Sequence, residues 1–174
     1  MLNIFVNTWG NYNENGADGG EWITLPMSEE ELKEKLEAIA QAIGDTDPEF
    51  CIHDYEYTGE IELEEISEYT NIQQINELCN EAAALEEYEL EEIAAAIEAF
   101  GYSFKEAMET QQGNGFIFYA GQDLEDVAYE LVEECYFTKK TPEIFKTYFD
   151  YKAFARDLGF DGYVETKYGV IVEG

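Results

Sequence analysis

The chain contains a run from Leu36 to Phe104 that has no lysine and no arginine. This run carries nineteen carboxylates between Glu37 and Glu98, and the whole chain has 9 basic and 40 acidic residues, a formal net charge of −31. Such a charge destabilises the folded chain by self-repulsion, which indicates that the acidic residues serve a function. Duplex DNA carries one negative charge per roughly 1.7 Å of its axis, so a net charge of −31 matches about 50 Å of duplex. The charge therefore indicates basic partners and an electrostatic likeness to nucleic acid.

The rest of the composition indicates a folded protein despite this charge. Hydrophobic residues make up 45% of the 174 residues and aromatic residues 15%, whereas disordered chains are poor in both. The length suits one ordinary domain or two to three very small ones. No apolar run approaches the ~20 residues of a membrane span, and the first residues lack a signal-peptide pattern. We therefore expect a cytoplasmic protein that does not contact membranes.

The pattern of apolar residues predicts an α+β fold built from three small modules that pack end to end. An α+β module is predicted over residues 1–60, an acidic helical module over 61–110, and a second α+β module over 111–174. The central segment differs from its neighbours because it is rich in alanine, leucine and glutamate and almost free of glycine. No repeat and no flexible linker separates the modules.

The first module is predicted to bury one face of a small sheet under one helix. Alternating apolar residues indicate strands over Leu2–Thr8 and Glu21–Leu25, joined by a turn rich in glycine and asparagine. Ser28 and Glu31 have the spacing of a capping box and open an apolar-striped helix. A third strand is predicted over Glu49–Tyr57.

Helices dominate the second module, and the third returns to mixed structure. A capping box at Thr70 and Gln73 predicts a helix that opens near Asn71, and another helix is predicted over Glu86–Phe100. The third module is predicted to contain a strand over Phe116–Ala120, a helix capped by Asp123, a helix capped by Asp150, and a closing hairpin formed by Gly162–Glu165 and Val170–Val172.

The residue types that carry chemistry give no catalytic signature. The three cysteines, Cys51, Cys79 and Cys135, are odd in number, widely spaced and set among apolar neighbours, so we expect reduced core residues. His53 is the single histidine and has no positioned nucleophile, which favours a structural role. The phosphate-loop, Cys-x-x-Cys and His-Glu-x-x-His motifs are absent. We therefore predict no enzyme activity, no cofactor and no metal site.

The acidic helix faces are predicted to bind a partner. A run of glutamates usually marks only the solvent-exposed face of a helix. Most such helices also carry lysines four residues from the glutamates, and these ion pairs stabilise the helix. The acidic helices of this chain lack the lysines and therefore this stabilisation. In the third module, acidic residues recur at helical spacing on the solvent side of the helix after Asp123. The predicted partner-binding carboxylates are Glu62, Glu64, Glu65, Glu68, Glu87, Glu91, Glu98, Glu125, Asp126, Glu130, Glu133 and Glu134.

Several segments of the chain resemble one family in the same order along almost the whole length. They are the opening strand followed by WGNYN, then GEWITLP, CIHDYE, DLEDVAYELVEECYF and YFDYKAFARDL. Together they resemble the ArdA antirestriction proteins. The family's antirestriction motif corresponds to Asp123–Glu134, so the resemblance assigns partner binding to Glu125, Asp126, Glu130, Glu133 and Glu134.

The resemblance also implies an architecture and a mechanism. Members of this family are elongated three-module proteins that act as dimers and mimic DNA. They occupy the DNA-binding groove of type I restriction-modification enzymes and are usually encoded on mobile genetic elements. For this chain the resemblance implies a homodimer whose partner is such an enzyme and which binds no nucleic acid itself.

Two other interpretations of the acid remain open from the residues alone. One is a halophile-type structural protein, although six of the nine basic residues cluster between Lys139 and Lys167 instead of spreading evenly. The other is an acidic metal-binding protein.

The basic cluster lies in the third module beside many aromatic residues, and interfaces favour aromatic residues over charge, so we expect the third module to form the dimer.

Overall fold

The computed structural model describes residues 1–59 and 61–174, so Glu60, at the end of the first predicted module, lies outside the described residues. The described chain is a mixed α+β protein with eight α-helices and two antiparallel sheets of three strands each, which confirms the predicted fold class. It divides into two compact units, Met1–Leu85 and Glu86–Gly174. The division into three modules stays a prediction. Every helix in these described ranges is too short or too polar to cross a membrane.

The first unit places three helices around a sheet of three strands. The strands are β1 (Leu2–Thr8), β2 (Glu21–Leu25) and β3 (Phe50–Tyr57), and the helices are α1 (Trp9–Asn15), α2 (Glu29–Ile43) and α3 (Ile72–Ala83). Strand β1 lies in the centre, with β2 and β3 antiparallel on either side. Its alternate residues Leu2, Ile4 and Val6 are fully buried, as the period of a strand requires.

Helix α2 follows its sequence signals closely. The Ser28 side chain accepts a hydrogen bond from the Glu31 backbone, and the Glu31 carboxylate accepts one from the Ser28 backbone, which confirms the capping box. The Ser28 hydroxyl also donates to the Glu31 carboxylate at 2.7 Å. This bond and the one from the Ser28 backbone N–H lower the pKa of Glu31. The helix ends where Gly44 adopts a left-handed conformation with φ of 84°, which glycine reaches without strain.

The turn predicted after Thr8 is wrong in its first half, because the chain forms helix α1 there. The Thr8 side chain accepts a hydrogen bond from the Asn11 backbone and caps the helix. The Asn11 side chain donates to that of Asn7 at 3.0 Å, and the Asn15 side chain donates to that of Asn11 at 2.9 Å. Asparagine is a weak helix former, so side-chain hydrogen bonds, rather than intrinsic helix propensity, stabilise this short helix.

The start of α3 lies one residue from its predicted cap. The Asn71 side chain accepts a hydrogen bond from the Gln74 backbone at 3.0 Å and is therefore the cap. The Thr70 hydroxyl is engaged elsewhere, since it accepts a hydrogen bond from the Ser67 backbone at 2.9 Å. Both residue types are good caps, and the neighbouring loop decides which of them is used.

The second unit packs its helices against the other sheet. The helices are α4 (Glu87–Phe100), α5 (Phe104–Gln112), α6 (Leu124–Leu131), α7 (Glu143–Thr147) and α8 (Tyr151–Phe160), and the strands are β4 (Phe116–Ala120), β5 (Val164–Thr166) and β6 (Gly169–Glu173). The strand order is β4-β6-β5, which confirms the predicted closing hairpin. Helices α6 and α8 meet over β6 in a core that includes Val127, Ala128, Ala155, Leu158 and Val170.

Helix α5 was not predicted as a separate element. Its signal is present in the sequence, because Ser103 and Glu106 form a complete capping box directly after α4. Gly101 ends α4 in a left-handed conformation with φ of 74°. Three residues, from Gly101 to Ser103, therefore suffice to end one helix and begin the next.

A π-helical segment, Val132–Tyr136, continues α6 and changes which residues face the core. Its signature is the hydrogen bond from the Phe137 backbone N–H to the Val132 carbonyl at 2.8 Å, five residues back. One added residue rotates the side chains that follow by about 100° around the helix axis. Val132 is buried and Cys135 is exposed, so the prediction that Cys135 is a core residue is wrong. Cys51 and Cys79 are buried as predicted.

Candidate functional site

Four of the twelve predicted carboxylates lie in the segment between β3 and α3. Glu62, Glu64, Glu65 and Glu68 are all exposed. Tyr57 at the end of β3 holds this segment, because its hydroxyl donates to the Glu64 carbonyl at 3.0 Å and accepts from the Glu64 backbone N–H at 3.3 Å. Burial raises the pKa of Tyr57 to about 12, so its hydroxyl stays protonated as a donor at neutral pH. The segment is acidic and anchored to the sheet.

Glu68 is the member of this group that faces other functional side chains. Burial raises the pKa of the Cys51 thiol on β3 to about 11 and lowers the pKa of the neighbouring His53 from its ordinary value of 6.5. The Glu68 charge has a smaller effect, which adds to the shift of Cys51 and opposes that of His53. A neutral imidazole therefore stands close to an exposed carboxylate at neutral pH.

Three predicted carboxylates belong to α4, and they differ in exposure. Glu87 and Glu98 are exposed, whereas Glu91 is half-buried. The Glu98 carboxylate accepts a hydrogen bond from the Lys167 backbone at 3.3 Å. Glu92, which was not predicted as part of the surface, is partly buried, and this burial raises the pKa of its carboxyl. Of this helix, the first turn is the most open to a partner.

The acidic motif, which spans α6 and the π-helical segment after it, divides into an exposed group and a hydrogen-bonded group. Glu125, Asp126 and Glu134 are exposed, and a Glu125 carboxylate oxygen lies 3.5 Å from the Lys152 Nζ atom. Glu130 and Glu133 are half-buried. The sequence pattern had placed Asp126, Glu130, Glu133 and Glu134 on one solvated face, but two of the four, Glu130 and Glu133, are half-buried in the structure.

Hydrogen bonds within the second unit engage the half-buried pair. The Gln122 side-chain amide donates to the Glu130 carboxylate at 2.9 Å, and the Tyr151 hydroxyl donates to the Glu133 carboxylate at 3.0 Å. Burial, with a smaller effect from Glu133, raises the pKa of Tyr151. These two carboxylates therefore contribute to the structure of the second unit as well as to its charge.

An aromatic cluster beside Glu68 was missed from the sequence. The Tyr12 ring stacks on the His53 ring with centroids 3.6 Å apart, and Trp9 meets His53 edge-on at 6.1 Å. Trp9 also stacks on Tyr69 at 5.5 Å. The residues come from α1, β3 and the segment before α3, so no spacing in the sequence indicates that they meet.

A metal site is not formed by the side chains that the structure describes. Across residues 1–59 and 61–174, no group of three or more histidine, cysteine, aspartate or glutamate side chains is placed to hold an ion. The carboxylates instead form a surface over which negative charge is distributed. Such a surface suits the binding of a basic partner.

Comparison with known protein families identifies the chain. Residues 4–172 match the family model described as antirestriction protein (ArdA). The chain belongs to the ArdA family. ArdA proteins are non-enzymatic inhibitors, which agrees with the prediction of no enzyme activity, and their targets are restriction-modification enzymes. The comparison with curated proteins gave no match.

Proposed function

We propose that this ArdA protein inhibits type I restriction-modification enzymes as a DNA mimic, by placing its acidic surface in the enzyme's DNA-binding groove. The observation that carries the proposal is the exposure of nine of the twelve predicted carboxylates in a member of an antirestriction family. The remaining three, Glu91, Glu130 and Glu133, are half-buried.

The distribution of basic residues supports this mechanism. The segment 36–104 has no cation of its own, so most of its carboxylates are available to cations of a partner. A DNA-binding groove is lined with lysine and arginine that bind phosphates and release counterions. Carboxylates on a folded surface can pair with the same side chains. Competition then needs no chemical step and no reading of bases, because phosphate contacts supply most non-specific affinity.

A gel-shift competition against a type I methyltransferase core tests the mechanism. The protein should displace labelled DNA from the enzyme, and its inhibition constant should rise with salt, because both ligands bind through charge. A complex that contains enzyme, DNA and this protein together would contradict the mechanism.

We also propose that the protein acts as a homodimer joined through residues 111–174. The second unit exposes several large apolar side chains, and interface cores are enriched in aromatic residues. These side chains include Tyr136, Ile144, Phe145, Tyr148 and Phe160, each at least 60% exposed. Six of the nine basic residues also lie between Lys139 and Lys167, where they reduce the repulsion between two acidic chains.

A further inference from the structure

We propose that a pocket beside His53 in the first unit receives an arginine side chain of the basic partner. The pocket, called here the His53 pocket, has a volume of about 340 Å³, and its lining includes Tyr12, His53, Tyr55, Ile66 and Glu68. It combines ring faces with one carboxylate. This inference rests on the proposed function for the identity of the partner, and the chemistry of the pocket can be tested without it.

A β-bulge sets the position of His53. On β3, Asp54 pairs with Phe5 and Ile52 pairs with Val6, so His53 is the extra residue between them. A bulge re-aims the side chain of the inserted residue, and bulges are enriched next to functional sites. Here the bulge brings the ring of the single histidine of the chain against Tyr12 of α1.

Neighbouring groups hold the His53 ring in place. The planes of the Tyr12 and His53 rings are 19° from parallel, and the Cys51 Sγ atom lies 3.2 Å from the His53 Nε2 atom. The Cys51 side chain is itself anchored, since its thiol contacts the Asn7 carbonyl at 3.4 Å. Tyr55 contacts Tyr57 edge-on with centroids 6.0 Å apart, which supports its ring as well. The aromatic lining is therefore organised before any ligand arrives.

The charges of the pocket select a cation. Glu68 is exposed and supplies the negative charge, and His53 is neutral at pH 7 because burial lowers its pKa. No cation comes from the surrounding sequence, since Lys35 and Lys105 are the nearest basic residues along the chain. A cation close to the face of an aromatic ring gains further attraction from the π electrons. The pocket thus favours a positive group supplied by another molecule.

The shape of the lining favours arginine over lysine. A guanidinium group is planar, stacks on aromatic faces and can offer two parallel donors to one carboxylate, whereas an ammonium group is compact and strongly hydrated. Stacking against Tyr12 or Tyr55 leaves the guanidinium edge free for Glu68. Because the DNA-binding groove of a restriction-modification enzyme is rich in arginine and lysine, such a contact would add geometric selectivity to a largely electrostatic interface.

The single histidine makes the His53 pocket observable in the isolated protein. We would titrate the protein at pH 7.5 with N-acetyl-arginine amide and separately with N-acetyl-lysine amide, and follow the imidazole C–H resonances of His53 by NMR. The arginine probe should give a saturable shift, with affinity at least about threefold higher than the lysine probe because of its ring stacking.

Three variants decide whether the pocket itself binds the probe. Glu68→Gln removes the carboxylate, and Tyr55→Leu removes a ring while keeping apolar volume. Each variant should bind the arginine probe with an affinity lower by about threefold or more. Glu65→Gln removes the same charge from an exposed position in the same segment and should bind as the wild type does. Circular dichroism spectra verify that all three variants fold.

The outcomes separate this inference from the proposed function. Equal affinity for the two probes, or equal binding by Glu68→Gln and Glu65→Gln, would overturn the arginine pocket and leave DNA mimicry untouched. Gel shifts with the methyltransferase core decide the mimicry independently. In those gel shifts Glu68→Gln should inhibit less well than Glu65→Gln, and equal inhibition by the two variants would show that the pocket does not receive a side chain of the enzyme.

Discussion

The Tyr151 hydroxyl donates a hydrogen bond to the Glu133 carboxylate at 3.0 Å and thereby joins α8 to the π-helical segment. Glu133 belongs to the acidic motif that the family resemblance assigns to partner binding. A carboxylate that is half-buried and already hydrogen-bonded offers less to a partner than one in open solvent. The motif therefore contains residues with two different roles, and substitutions can separate them.

We predict that the exposed carboxylates of the acidic motif act together and matter more for inhibition than the half-buried pair. Single changes such as Glu125→Gln should alter inhibition little, because exposed ion pairs contribute about 0–1 kcal/mol each. The triple variant of Glu125, Asp126 and Glu134 to the matching amides should raise the inhibition constant clearly while the melting temperature stays unchanged or rises.

The matched control is the double variant Glu130→Gln and Glu133→Gln, which changes two hydrogen-bonded carboxylates. We expect it to lower the melting temperature and to affect inhibition less than the triple variant. Neutralising all five carboxylates should weaken inhibition further. A single amide substitution that abolished inhibition in a folded protein would replace the distributed surface with one specific site.

We predict that Asn76 is needed for the stability of the first unit. This buried side chain accepts a hydrogen bond from the Met27 backbone N–H and donates one to the Met27 carbonyl, both at 2.9 Å. Asn76→Ala leaves the Met27 N–H without this partner and should cost about 2–3 kcal/mol in the free energy of unfolding. Asn80→Ala is the control, because Asn80 is exposed and makes a longer hydrogen bond of 3.1 Å to the same carbonyl. Urea unfolding curves of the two variants test this, and equal loss would contradict it.

Local signals in the sequence predict much of this fold because they act between neighbouring residues. The capping box at Ser28 and the alternation in β1 depend on contacts within a few positions, and the structure confirms both. Helix α1 was missed because asparagine has low helix propensity and the stabilising hydrogen bonds are specific to its side chains. The π-helical segment was missed because an inserted residue leaves the apolar spacing almost unchanged while it rotates Cys135 outward.

The candidate surface was less predictable than the fold for a related reason. Charge density is visible in composition, so the acidic segments are found at once. Whether Glu130 faces solvent depends on Gln122, and whether Glu68 has aromatic neighbours depends on a bulge at His53. Such relationships join residues that are distant in sequence, and no local pattern encodes them.

We predict that native protein has one reactive thiol. Cys135 is exposed, whereas Cys51 and Cys79 are buried, and burial raises the pKa of each buried thiol to about 11. The thiolate is the reactive form, so the buried pair should resist a disulfide reagent at pH 8. Titration with Ellman's reagent should give one fast equivalent in buffer and three in denaturant. Fast reaction of all three thiols in buffer would contradict the burial of Cys51 and Cys79.

We predict that the stability of the first unit decreases as the pH falls below 6.5. Burial lowers the pKa of folded His53 below its ordinary value of 6.5, while the Glu68 charge opposes this shift. The groups in contact with His53 are Tyr12, Trp9 and the Cys51 thiol, and none of them is cationic. Above 6.5 neither the folded nor the unfolded chain binds the proton, and below it the unfolded chain binds it first, so folding is disfavoured.

An NMR titration of the His53 resonances measures this pKa directly. Glu68→Gln should lower the pKa further, because it removes the charge that favours the imidazolium, and Glu65→Gln should leave it unchanged. Urea unfolding at pH 5.5 and pH 7.5 then tests the effect on stability. A folded-state pKa above 6.5 would reverse the sign of the prediction.

The last prediction concerns assembly through the second unit. Two chains carry a net charge of −62, twice −31, so they repel unless they meet where acid is sparse. Tyr148 and Phe160 are 78% and 81% exposed within the part of the chain that holds most of the basic residues. Interface cores favour aromatic residues and exclude charge, and most homodimers close by a two-fold axis.

Light scattering at low micromolar concentration should therefore report a dimer of the wild-type chain, with a mass near twice 19.9 kDa. The double variant Tyr148→Ser and Phe160→Ser should shift it to monomer, because each substitution removes apolar area that the interface would bury. Tyr88→Ser is the matched control: Tyr88 is 61% exposed but lies on α4, outside residues 111–174, so this variant should stay dimeric. A wild-type monomer at every concentration would refute the dimer, and dissociation by Tyr88→Ser alone would place the interface on the central helices instead.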